Sequence, residues 1–118
     1  LVIDVGAFDG KDAVNYAKAG HEVLSFEPSP ANIVHVRRRF ANTTVGGRIT
    51  FYPVALADRE GNATFSGQGR PGETGALGAF IESAAPTKRR LKATQVPVRT
   101  LDSVVGERSV LLVAVAPL

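Results

Sequence analysis

The sequence predicts an α/β fold: a parallel sheet of strand order 3-2-1-4 with a small β excursion before its last strand. Two observations carry this expectation. Apolar runs of strand length alternate with stretches of helical periodicity, and that alternation gives parallel strands joined by right-handed crossovers. The most polar features of the chain also follow the strands, at Asp4 to Gly10, Glu27 and Asp58. Ligands of open parallel sheets sit beyond the carboxyl ends of the strands.

Leu1-Val2-Ile3-Asp4-Val5 has the apolar continuity of a strand buried on both faces. Gly6-Ala7-Phe8-Asp9-Gly10 is a glycine-rich turn, and a helix is predicted over Lys11 to Ala19. Ala13, Val14 and Ala17 form its apolar face, and Gly20 stands where a glycine ends a helix. Glu22 to Phe26 is the second strand. A second helix is predicted over Pro30 to Ala41, with Ser29 as N-cap and Pro30 at the first helical position, where its missing N–H costs nothing. Ile33, Val36 and Phe40 make its buried stripe and leave Arg37 to Arg39 largely outside.

Arg48 to Leu56 reads as the third strand, with Pro53 suiting an edge position. Asp58 to Asn62 reads as a turn and Ala63 to Ser66 as a short strand. Gly67 to Gly78 holds five glycines and one proline and reads as a mobile loop. Thr94 to Val98 is a further short strand, so the β excursion lies between Gly61 and Val98. Leu101 to Val105 is a turn or a single helical turn. Val110 to Val115 is the closing strand, fourth in the parallel sheet.

Composition narrows the function classes. Apolar residues make up 44% and charged residues 21%, which excludes a disordered chain. The nine-residue run Val110 to Leu118 is far short of a bilayer span, and the first residues read as a strand rather than a signal peptide. A cytoplasmic location without membrane attachment is therefore expected. The absence of Cys removes thiolate metal sites and a Cys nucleophile, and no metal site is expected. There is also no Met, even at position 1, so the sequence is expected to be an excerpt. The net charge of +3 concentrates in Arg37-Arg38-Arg39 and in Lys88-Arg89-Arg90 with Lys92. No aromatic residues interleave with either cluster, so both read as solvated surfaces and a nucleic-acid partner is not expected.

The glycine loop fails the G-x-G-x-x-G test for a dinucleotide. From Gly6, the second and third glycine positions hold Phe8 and Lys11. No Gly-Lys-Ser/Thr follows, which excludes a phosphate loop of the P-loop type. Gly6 permits a tight turn and close backbone approach. Gly10 opens a helix whose free N–H groups favour an anion such as a carboxylate. Glu27 lies 21 positions after Gly6, at the end of the second strand, where an acid holds ribose hydroxyls in nucleoside-binding folds. A ribose at strand two and a carboxylate at the first helix together describe S-adenosylmethionine. Glu27 could otherwise be a strand-end acid capping the next helix, and Asp9 a cap of the first helix. His21, His35, Tyr16 and Tyr52 read as surface, capping or packing residues.

Five segments in order, Asp4-Val5-Gly6-Ala7 with Gly10, Phe26-Glu27-Pro28-Ser29-Pro30, Val54-Ala55-Leu56-Ala57-Asp58 with Gly61, Val96-Pro97-Val98 and Thr100-Leu101-Asp102, resemble the FkbM family of S-adenosylmethionine-dependent methyltransferases. The resemblance implies a Rossmann-like class I methyltransferase fold, here partial. It implies the cofactor S-adenosylmethionine and O-methylation of a small metabolite or sugar hydroxyl. By resemblance, Asp4, Gly6, Ala7 and Gly10 line the methionine end of the cofactor, Glu27 holds the ribose and Asp58 contacts adenine. Thr100 and Asp102 would set up the turn before the fourth parallel strand. The whole of 1–118 would then be the N-terminal, cofactor-binding half of such a domain, with a small-molecule methyl acceptor as partner.

The sequence departs from the family's pattern at its end. The family's Lys-Ile-Asp, with an acid and a glycine soon after, is replaced by Val-Ala-Val-Ala-Pro-Leu. No catalytic base is assigned, and weak cofactor binding without turnover is expected of the 118 residues alone. The alternative is a catalytically inactive nucleoside-binding or interaction remnant of the same fold. The sequence leaves the oligomeric state open.

Overall fold

A computed structural model describes residues 1–67, 80–82 and 92–115. The elements are β1 (Val2–Val5), α1 (Lys11–Lys18), β2 (Val23–Phe26), α2 (Pro30–Ala41), β3 (Ile49–Tyr52), β4 (Ala55–Leu56), β5 (Gly61–Gly67), β6 (Phe80–Glu82), β7 (Lys92–Arg99), α3 (Leu101–Val105) and β8 (Leu112–Val115). The first sheet has the order β3-β2-β1-β8, with every pair parallel. Since β8 is the fourth parallel strand of the chain, this is the expected 3-2-1-4 order. The register sets Asp4 between Ser25 of β2 and Ala114 of β8, and Phe26 beside Tyr52.

The two-residue period of the strands divides the core between the faces of this sheet. Val2 and Val23 point to the α1 side and pack with Ala13, Ala17, Tyr16 and Phe40. Ile3, Leu24 and Phe26 point to the other side and pack with Val54, Val105, Leu101 and Val104. Each of these large side chains removed from water contributes roughly 1.5–3 kcal/mol. Asp4 and Ser25 share the period of Val2 and Val23 and so face the α1 side.

The excursion is a second sheet of order β4-β7-β5-β6, antiparallel except for β4 with β7. Ala55, Phe65, Val96 and Val98 form its core. Its strands outrun the expected ones: β5 starts at Gly61, inside the predicted turn, and β7 covers Lys92–Arg99 rather than Thr94 to Val98. The register explains the length, since seven consecutive residues of β5 pair with β7, from Gly61↔Val98 to Gly67↔Lys92.

The expected third strand over Arg48 to Leu56 is instead two strands in two sheets. The carbonyl of Tyr52 accepts from Glu27 N–H at 3.2 Å and from Val54 N–H at 2.8 Å. Pro53, which has no N–H to donate, sits in the tight turn between these strands. Beyond it, Ala55 and Leu56 pair with Val98 and Arg99. Most of the predicted loop Gly67 to Gly78, and the cluster Lys88 to Arg90, lie outside the described residues.

Helix α2 begins and ends at the predicted residues. Helix α1 stops one residue early, at Lys18, and Gly20 takes a φ of +100°. Thr100 is the N-cap of α3, its Oγ1 accepting from Ser103 N–H at 3.2 Å. The closing strand begins at Leu112 rather than Val110. Leu112, Val113 and Val115 are exposed at 44%, 46% and 68%, so its apolar side chains meet little of the described residues.

Candidate cofactor site

The loop between β1 and α1 is fastened to the end of β2 by its own backbone. Gly6 N–H and Ala7 N–H both donate to the Phe26 carbonyl at 2.9 Å, and Gly10 N–H donates to the Ala7 carbonyl at 2.8 Å. Gly6 and Gly10 adopt φ of +82° and +83°. Between them Phe8, with φ +54°, is the one non-glycine residue of positive φ among the described residues. Its N–H donates to Glu27 Oε1 at 2.8 Å.

Glu27 is buried at the carboxyl end of β2. Its second oxygen, Oε2, accepts from Ser29 N–H at 2.9 Å. One carboxylate thus bridges the glycine loop and the start of α2. Burial raises its pKa above the ordinary carboxylate range. The Ser29 and Phe8 N–H groups and the Asn32 side chain pull in the opposite direction. Ser29 occupies the N-cap position of α2 as predicted, but its side chain makes no capping bond; its carbonyl accepts from Asn32 and Ile33 N–H.

Asp4 is 4% exposed. Ser25 Oγ donates to its Oδ2 at 3.1 Å, and among the described residues no cation pairs with it. Burial pushes its pKa from 3.8 up to about 6. The Ser25 hydroxyl works against that shift, while the charges of Asp12 and Glu27 add to it. The folded state therefore holds the proton more tightly than the unfolded chain. Stability from this group is greatest at low pH and is lost as pH rises from about 4 to about 6.

The Asp4→Asn variant keeps the shape and an acceptor for Ser25 without the charge. It is expected to raise stability at pH 7 by about 1–2 kcal/mol, less than the full ionisation penalty because the amide is itself desolvated. Thermal melts across pH check this. The advantage of the variant should grow between pH 4 and 6.5 and then level off; a pH-independent difference would contradict it.

The structure brings Asp4, Gly6, Ala7, Gly10 and Glu27 together at the carboxyl ends of β1 and β2. Gly10 lies on the α2 side of the loop, where an added Cβ would stand 2.9 Å from Phe40 Cε1. The start of α1 already carries a negative group: Asp9 Oδ1 accepts from Lys11 N–H at 3.0 Å, and its Oδ2 lies 3.6 Å from Lys11 Nζ. Asp9 is thus a helix-capping residue.

Asp58 stands apart, after β4 on the second sheet, exposed and 3.6 Å from Arg59 Nε. It lines a cavity of about 600 Å³ with Glu60, Asn62, Thr64 and Gln95. The two regions are joined by stacking. Phe26 and Tyr52 rings lie 5.0 Å apart, and the Arg99 guanidinium sits 5.9 Å from the Tyr52 centroid and 3.9 Å from Glu60.

Two site residues escape the sequence patterns. Phe8 reads there as a missing glycine, yet it supplies an N–H to Glu27. Asn32 is buried in the first turn of α2, and its Oδ1 has no partner among the described residues. Its signal in the sequence is a polar residue closely following Phe-Glu-Pro-Ser-Pro. The arginine run divides its work. Arg37 lies 5.5 Å from the Phe51 centroid, and Arg39 Nε donates to the Asp9 carbonyl at 2.7 Å. Arg38 lines a cleft of about 460 Å³ with Lys18 and His35. Lys18, Arg38 and Arg39 occupy last turns of helices, where they complement the helix dipole.

No helix of the described residues is long and apolar enough to cross a membrane. No curated protein matches the chain. The crystal structure of methyltransferase FkbM from Methylobacillus flagellatus KT is similar with a TM-score of 0.53 at 16% identity, over 90% of this chain and 23% of that one. That likeness places the fold among methyltransferase-like α/β folds, and the chain spans under a quarter of that protein. A family profile described as the methyltransferase FkbM domain matches residues 4–112, from the acid of β1 to the first residue of β8. With nearly its whole length matched in this way, the chain belongs to the FkbM methyltransferase family.

Proposed function

We propose that the chain is the N-terminal, cofactor-binding half of an S-adenosylmethionine-dependent methyltransferase that methylates a hydroxyl oxygen of a small metabolite or sugar. The observation that carries the reading is a pair of buried carboxylates at the carboxyl end of the parallel sheet: Glu27, bonded to the glycine loop, and Asp4, bonded to Ser25 and near enough to Glu27 for their charges to oppose each other. A buried carboxylate with no cation among the described residues suits a ligand that brings one, and S-adenosylmethionine carries an ammonium and a sulfonium. When bound, that cofactor supplies an electrophilic methyl group for in-line displacement. The chain's part is proximity and alignment.

In this reading Asp4 faces the cationic end. Gly6, Ala7 and Gly10 form the wall of the methionine end. Each Glu27 oxygen accepts one backbone N–H and the Asn32 side chain bonds the carboxylate as well, which leaves one acceptor position for a ribose hydroxyl. Asp58, reached across the Phe26–Tyr52–Arg99 stack, serves the adenine side. A cytoplasmic location fits a small-metabolite acceptor. Calorimetric titration with S-adenosylhomocysteine and, separately, NAD tests the reading. Binding of the first without the second is expected; the reverse order of affinity would overturn it.

A further inference from the structure

We propose that Glu27 is a positioning residue for the glycine loop: its carboxylate clamps Phe8 to the start of α2 and so sets the wall facing the methionine end of the cofactor. The clamp itself is independent of any ligand; its effect on the methionine end rests on the proposed function.

The geometry assigns this role on three grounds. The two oxygens of Glu27 accept from backbone N–H groups 21 residues apart, Phe8 at 2.8 Å and Ser29 at 2.9 Å. Glu27 is 5% exposed, and its bond to Ser29 is buried and that to Phe8 partly so, which limits competition from water. Phe8 holds φ +54°, a conformation that costs a residue with a Cβ and persists where the surroundings enforce it. The other loop bonds, from Gly6, Ala7 and Gly10, flank Phe8 without fixing its own N–H. The acid expected to touch the ribose is thus also the one side chain, among the described residues, that fixes the Phe8 N–H. A change at the ribose is thereby carried to the methionine side of the site.

The test uses Glu27→Gln and Glu27→Asp. Gln has the reach of Glu but a single acceptor oxygen, so its amide must face one of the two donors. Asp keeps the charge but is one methylene too short to span both. Amide hydrogen exchange of the ligand-free protein should accelerate about tenfold or more at Phe8 or Ser29, a bond's worth of protection. The β1–β2 ladder should stay protected. Unchanged exchange at both amides would overturn the clamp, and so would uniform acceleration across β1 and β2, which marks a general loss of stability. Should one variant fail to fold, the other carries the same comparison.

A second readout uses adenosine, which has the ribose but no methionine end, against S-adenosylhomocysteine. A residue acting through the loop makes the fold-loss in affinity greater for S-adenosylhomocysteine than for adenosine. Equal losses would overturn transmission to the methionine end. If neither ligand binds the parent protein, the cofactor reading fails while the exchange data still decide the clamp.

Discussion

Replacing Glu27 with alanine is expected to weaken S-adenosylhomocysteine binding by about 1.5–3 kcal/mol, the scale of a charge-assisted hydrogen bond to a ligand. Two causes act in the same direction. The variant removes an acceptor for the ribose hydroxyls, and it leaves the N–H groups of Phe8 and Ser29 without their acceptor. Both residues are at least partly buried, so water replaces that acceptor poorly. Arg38→Ala is the matched control. Arg38 is exposed in the last turn of α2, on the cleft with Lys18 and His35, and its loss is expected to leave the affinity unchanged. Isothermal titration of the three proteins decides the matter. Equal affinity for the Glu27 variant and its parent would remove Glu27 from the site.

What the sequence made legible was set by signals that act over a few residues. Pro30 at the first helical position and the Ile33, Val36, Phe40 stripe fix α2 at both ends. The strand–helix alternation fixes the order of the parallel sheet. The spacing from Gly6 to Glu27 brings the loop and the acid together because β1 and β2 are neighbours in parallel register. The expected third strand overruns its real end because Ile49 to Leu56 is apolar through enough of its length to pass for one strand. Pro53 is the local sign of the break; that Ala55 joins a different sheet from Tyr52 depends on its distant pairing with Val98.

The use of backbone hydrogen bonds was likewise hidden. A pattern with Gly6, Gly10 and a helix start suggests free N–H groups awaiting an anion. In the structure the Phe26 carbonyl takes those of Gly6 and Ala7, Glu27 takes that of Phe8, and Asp9 takes that of Lys11. Which donor meets which acceptor depends on contacts between segments far apart in sequence, which periodicity does not carry. Asn32 is hidden for another reason: it is buried in the first turn of α2, where its side chain bonds Glu27, and a polar residue at that position carries no pattern of its own.

Gly10→Ala is expected to cost about 3 kcal/mol of folding stability, a fall in Tm on the order of 10–15 °C. Two penalties combine. Gly10 holds φ +83°, and a side chain in left-handed geometry costs about 1–2 kcal/mol. The new Cβ would also stand 2.9 Å from Phe40 Cε1 and 3.3 Å from Arg39 Cδ. Arg39 can swing into solvent, since its side chain is exposed. Phe40 has less freedom, because its ring packs edge-on to Phe51 at 5.8 Å and joins the core beneath α1. Relief must therefore come from the loop or from α2, and either shift strains the Arg39 bond to the Asp9 carbonyl. Gly47→Ala separates this from a generic glycine effect. Its Cβ would meet nothing within 4 Å, and a change within about 0.5 kcal/mol is expected there. The double variant Gly10→Ala with Phe40→Leu distinguishes the two penalties. A smaller side chain at position 40 should return the steric part and leave the backbone part, so the double variant is less destabilised than the two single changes added together. Additive losses would place the whole cost in the backbone, and a Gly10→Ala protein as stable as its parent would show that the loop is not held against α2 as described.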